Sequence, residues 1–296
     1  MQAHLPSRKA THAGSWYAGN PAKLKSSLSA LLEAAENKYT GTGLIKYIIG
    51  PHAGYDYCAK TAAWAYKCID PNKYKRVILI GPSHHVPINY CALSKCGTCE
   101  TPLGNIEVDR ETVDKLLKVK GFKSMDVDID EEEHSLELHM PFIKQVFGDK
   151  KFVLVPIMVG NITNSQEKMY GEALVEYMKD NETLFVISSD FCHWGKRFGY
   201  TYYKKEDGKI FESIEKLDRR GMKAIEANDP KALASYFEET DNTICGRHPI
   251  AIAVNAVQAT GSTFETKFVH YSQSENVTSS SSSSVSYASA YSAKSS

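Results

Sequence analysis

The sequence has no excess of charge: 35 lysines and arginines stand against 35 aspartates and glutamates in 296 residues. A neutral chain has no long-range pull on polyanions, so nucleic acid and an anionic membrane are not expected as main partners. No apolar run reaches the length that a membrane span requires. The first ten residues hold Arg8 and Lys9 but no apolar core, and do not read as a signal peptide. Seven cysteines, an odd number in a long chain, fit reduced thiols better than a disulfide framework. A cytoplasmic location, with the nucleus also open, is the expectation. The sequons at Asn161, Asn181 and Asn276 then carry no sugar. A Walker loop, a dinucleotide fingerprint and a G-x-S-x-G elbow are all missing, which sets aside the nucleotide and hydrolase chemistries those motifs serve.

Hydrophobic residues make up 42% and charged residues 24%, the balance of an ordinary globular protein. With no linker and no internal repeat, residues 1–296 read as one domain. Asn20-Pro21 followed by Leu24, Leu28, Leu31 and Leu32 predicts a helix over 21–37. Further helices are expected at 59–68, 109–118, 135–147 with a break at Pro141, 211–227, 230–237 and 249–257. Short apolar runs at 45–49, 76–80, 152–159 and 183–187 read as buried strands, and 267–271 and 285–291 as late strands. Such runs alternating with helices predict an α/β fold: a central mixed, largely parallel sheet covered by helices on both faces. A Ser-rich stretch at 276–284 reads as a flexible loop, an insertion rather than a regulatory segment.

Three strand ends carry chemistry. They are Gly50-Pro51-His52-Ala53-Gly54-Tyr55, Gly81-Pro82-Ser83-His84-His85 and Ser188-Ser189-Asp190-Phe191-Cys192-His193-Trp194. Ligands of open α/β sheets bind beyond the carboxyl ends of parallel strands, so neighbouring strands would bring His52, His84 and His193 to one spot. Cys245 precedes a helix whose N-terminal dipole would lower a thiol pKa. A lone histidine is ordinarily a structural group, but three strand tips with one pattern point to a shared site.

Glu131-Glu132-Glu133-His134-Ser135-Leu136-Glu137 has two readings. Ser135 and Glu137 serve a helix start, or His134 and Glu137 reach the site and orient a ligand. Cys91, Cys96 and Cys99 have an iron–sulfur-like spacing but lack a nearby fourth cysteine, and read as free surface thiols.

These strings, with His12-Ala13-Gly14-Ser15-Trp16-Tyr17, Cys245-Gly246-Arg247-His248-Pro249 and the final Ser284-Val285-Ser286-Tyr287-Ala288, resemble the Memo family from His12 to Tyr291. The serine run then reads as an insertion of the kind a fungal relative carries. The resemblance implies a fold similar to the class III extradiol dioxygenases, which use non-haem iron. By that likeness His52 and His84 match the two metal histidines and His193 the acid–base histidine. Cys245 stands where those enzymes have a glutamate. A thiolate in that place softens the site toward copper, with iron or zinc also open, and departs from ring cleavage. The family is further associated with metal-dependent redox chemistry, cell motility, invasive growth and growth signalling, and with phosphotyrosine peptides.

The expectation is therefore a metal-dependent redox protein. His52, His84 and Cys245 hold copper or iron, Asp190 orients His193 by a hydrogen bond, and His193 exchanges protons with dioxygen or superoxide. The competing expectation is a binding module for a signalling protein or phosphotyrosine peptide. Trp16, Tyr57, His85 and Phe191 would then contact the ligand. A Cys245 nucleophile activated by histidine is a further alternative.

Overall fold

Four apolar runs form parallel strands: β1 (Leu44–Gly50), β2 (Arg76–Pro82), β3 (Val153–Val159) and β4 (Thr183–Ser188). Almost every residue in them is buried, because both faces of the sheet are covered. That is why they read as unbroken apolar runs and not as alternating ones. The computed structural model describes residues 5–295. In it the strands lie in the order β3-β2-β4-β1. Two long antiparallel strands, β5 (Phe264–Gln273) and β6 (Ser284–Lys294), complete the main sheet. β6 pairs with β1 on one side and β5 on the other. Short strands extend the edges, among them Cys91–Leu93 against β3 and His193–Trp194 against the start of β6.

Register decides where the site falls. Gly50 lies beside Ser188, and Ile80 beside Ile187, so β1, β4 and β2 end level with one another. The polar strings that follow them leave the sheet together.

The helices follow local rules. α1 (Pro21–Ala34) starts where the Asn20 side chain accepts from the N–H of Lys23, with proline at the first position. α2 (Tyr55–Lys67) lies over β1, β5 and β6. The expected helix over 135–147 is two, α3 (His134–Glu137) and α4 (Met140–Phe147). Pro141 opens the second, since its ring clashes with the carbonyl one turn earlier. α5 (Asn164–Ala173) was not foreseen: its face of Glu167, Tyr170 and Gly171 is too polar to show a period. The Thr163–Gln166 capping box was its legible signal. α6 (Ile210–Glu226), α7 (Pro230–Thr240) and α8 (Arg247–Thr260) complete the larger helices, with α8 against α5, β2 and β4.

Two expectations are corrected. Cys91, Cys96 and Cys99 are fully buried, not surface thiols. Their segments form short sheet strands and the turn between them, whose alternate side chains face inward. The serine run is not loop throughout, because Ser284 is buried as the first residue of β6. No helix among the described residues is long and apolar enough to cross a membrane.

Candidate metal centre

His52 follows the tip of β1 and is almost wholly buried. Its Nδ1 lies 2.6 Å from Ser188 Oγ at the end of β4. The Ser188 hydroxyl donates its hydrogen to the carbonyl of Ser135 at 2.6 Å, so it can only accept from the ring. Nδ1 therefore carries the proton, and Nε2 presents a lone pair. Burial first, then the neighbouring imidazoles of His84 and His134, push the His52 pKa well down, so the ring is neutral. A neutral ring is what a metal ligand must be.

His84 follows β2. Its Nδ1 and its own backbone N–H both donate to Glu133, at 2.8 and 2.6 Å. A carboxylate accepts only, so this ring too carries a hydrogen on Nδ1. Burial would raise the Glu133 carboxyl, but the hydrogen bonds and charge of His84 outweigh it and hold the pKa at about 2. Glu133 also accepts from the N–H of Ser135, so it caps α3, the role sequence reasoning gave to Ser135. The close seating of α3 needs glycine at the end of β2: a Cβ on Gly81 would stand 2.7 Å from Ser135 Oγ.

Cys245 Sγ lies 3.2 Å from His52 Nε2. With no hydrogen on Nε2, the thiol donates. Donor atoms of His52, His84 and Cys245 all fall within 4.8 Å of one another. Cys245 reaches this point because Gly246 lets its chain approach β4: a Cβ there would meet Ser189 Cβ at 2.3 Å, and its N–H donates to Ser189 Oγ. The expected lowering of the thiol pKa is reversed. Burial, then the Asp190 charge, pushes it well up, and these outweigh the helix dipole. A raised thiol pKa works against a free thiolate nucleophile, whereas a coordinated metal deprotonates a thiol outright. One side of Cys245 opens on a cavity of about 360 Å³ that Ser83, Thr243, Arg247 and His248 also line.

His193 is held differently from the sequence expectation. Asp190 forms no hydrogen bond to it; its Oδ1 accepts from the backbone N–H of His52 at 2.8 Å. Burial raises the Asp190 pKa, and the nearby His193 opposes that rise. The residue that orients His193 is Thr243. Its carbonyl, at 3.1 Å, and that of Phe191, at 2.9 Å, face Nδ1, while its hydroxyl accepts from the His193 N–H at 2.7 Å. Two carbonyls place the proton on Nδ1 and free Nε2 once more.

His134 stacks on His84 with centroids 4.4 Å apart, and burial, then His84, lowers its pKa to about 3. It thus joins the cluster as sequence reasoning allowed. Glu137 does not. It accepts from Arg8, Tyr17, and both the backbone N–H and Nδ1 of His12. It clamps His12 as Glu133 clamps His84, one helical turn apart. His12 went unassigned in the sequence although it stands in a recognised string.

Among the expected ligand contacts, Trp16 stacks on His134 at 4.5 Å and is 38% exposed. Tyr57 is 67% exposed, and its ring and the Trp16 carbonyl both lie near Gly54. The exposed His85 meets His134 edge-on at 5.7 Å. Phe191 is wholly buried and packs edge-on against Phe268, so it belongs to the core and not to a binding rim.

The donor set of two imidazoles and one thiol, within reach of one point, fits a soft or borderline transition metal. The family model for Memo-like proteins matches residues 8–291. Protein MEMO1 of Danio rerio is 43% identical over 293 residues, covering 97% of this chain and 98% of its own. Protein MEMO1 of Homo sapiens is 41% identical over the same coverage. Protein memo-1 homolog of Caenorhabditis elegans is 43% identical over 95% of this chain and 81% of its own. Identity at this level over nearly the whole length means that the chain belongs to the Memo-like protein family.

Proposed function

We propose that the chain holds one redox-active metal ion, copper or iron, between His52, His84 and Cys245, and that it carries out oxidase-type chemistry in growth or motility signalling in the cytoplasm. The observation that carries this reading is the pair of fixed tautomers. Ser188 and Glu133 each accept from the Nδ1 of one histidine, while His52 Nε2 lies 3.2 Å from the Cys245 sulfur and a ring nitrogen of His84 falls within 4.8 Å of both. Hydrogen-bonded outer partners of this kind are a regular feature of metal-binding histidines. Two imidazoles and a thiolate favour copper, Cu(I) above all. When bound, such an ion supplies one-electron exchange with dioxygen. His193 takes up and returns a proton at Nε2, with Thr243 fixing its ring. Cysteine in place of a carboxylate speaks against ring cleavage.

The test is elemental analysis of protein purified without added metal, followed by melting curves with copper or iron added. The expected result is copper or iron in the wild type and less in Cys245→Ser. Metal at a hundredfold excess over Kd should stabilise the fold by about 2.7 kcal/mol. Protein that holds neither ion and gains no stability from either would end this reading.

A second reading rests on the exposed Trp16 and Tyr57 flanking Gly54, two residues beyond His52. Their faces suit an aromatic ligand such as a phosphotyrosine peptide. Titration of metal-free and metal-loaded protein with such a peptide separates the two: binding indifferent to metal favours the module.

A further inference from the structure

Six consecutive serines, Ser279–Ser284, close the connection from β5 to β6. Where the tract enters β6 it lies on the segment that carries His193: Ser284 pairs with Trp194, and Val285 with His193. Ser283 presses on the next residue, Gly195. A Cβ there would stand 2.6 Å from Ser283 Cβ and 3.1 Å from the Ser282 carbonyl oxygen.

The outer part of the tract is accessible. Ser279, Ser280 and Ser281 are exposed, and Ser282 and Ser283 partly so. Ser281 Oγ meets only Ser279 Oγ, at 2.9 Å. Just beyond Gly195 stand two exposed cations, Lys196 and Arg197. Neither has a carboxylate partner among the described residues. The Arg197 guanidinium lies over the Phe198 ring at 4.5 Å, and Phe198 meets the His193 imidazole edge-on at 5.2 Å. The serine tract thus touches Gly195, the two cations follow it in sequence, and one of them packs on the ring that meets the imidazole.

We propose that Ser281 and Ser282 are phosphorylation sites, and that Lys196 and Arg197 read the phosphate and pass its presence to His193. The donor is ATP, acting through a protein serine kinase. A bond forms from Ser Oγ to the γ-phosphorus as the bond to ADP breaks, and the hydroxyl proton leaves to the kinase's base. The product adds about −1.5 to −2 charge and three acceptor oxygens opposite the cations. A phosphate on the tract draws the Arg197 guanidinium toward it and away from its present place over Phe198. Drawing it away frees the ring that packs on His193. The device is independent of whether a metal is bound.

The experiment uses the full chain with phosphoserine encoded at position 282, read by NMR. The His193 ring signal is assigned by its loss in His193→Gln. Phosphate at 282 should shift that signal and the Arg197 amide. The shifts should vanish in Lys196→Ala/Arg197→Ala, and phosphoserine at the exposed Ser26 on α1 should not produce them. An unmoved His193 signal overturns the proposal. So does an equal shift in the double variant or from position 26. Mass spectrometry of protein isolated from its own cells should find phosphate on Ser281 or Ser282; both serines unmodified would overturn the assignment of the site.

Discussion

Glu133 accepts three hydrogen bonds at once, from the N–H and Nδ1 of His84 and from the N–H of Ser135. All three need an acceptor. An amide in its place presents one oxygen and one donor nitrogen, so at least one of these N–H groups faces another donor. Glu133→Gln should therefore let the His84 ring turn and weaken copper or iron binding roughly 10- to 100-fold. Isothermal titration against wild type checks this; unchanged affinity would mean that His84 is held by something else. Sequence reasoning named the right passage here but the wrong carboxylates. Nothing in a run of three glutamates tells which one faces inward, because that depends on where α3 seats against β2.

Seating of elements is where the sequence was most and least informative. β1 to β4 were legible because a strand buried on both faces must be apolar throughout. The convergence of His52 and His84 followed from the level strand ends, which parallel topology predicts, whereas Cys245, before a helix, was placed there by the family resemblance. What escaped was anything set by tertiary contact. Thr243 and not Asp190 holds His193, Phe191 turns into the core, and Cys91, Cys96 and Cys99 are buried. A strand residue's facing is fixed by its register, and register is not written in a short motif. The Gly81–Ser135 approach gives a prediction at this scale. Gly81→Ala places a methyl 2.7 Å from Ser135 Oγ, so α3 must lift from β2. A loss of about 1–3 kcal/mol, as for other overpacked cores, should appear as a lower urea midpoint. Metal affinity should fall with it, since α3 carries the cap residue that clamps His84. Full retention of both would show that α3 has room to shift.

At the scale of the whole molecule, the N-terminal segment is fastened by a buried ion-pair network of Arg8 with Asp130 and Glu137. Burial pushes the Glu137 carboxyl upward, but His12 and Arg8 outweigh it and hold its pKa at about 2, below the ordinary 4.5. The folded state therefore binds this proton less readily than the unfolded chain. The stabilisation is complete above about pH 4.5 and is lost as pH falls toward 2. Wild type and Glu137→Gln should thus differ most in urea stability near pH 6, with the gap closing between pH 4.5 and 3. A gap that stays constant over that range would remove Glu137 from the acid response. The position of β6 carries a different consequence. It lies between β1 and β5, yet its residues are translated after every other described strand. While the ribosome is still at work, β1 has an open edge and the hairpin that backs the His193 segment does not exist. Such late, long-range pairing is slow and leaves apolar surface bare. The nascent chain is accordingly a natural client for chaperones until β6 has been made.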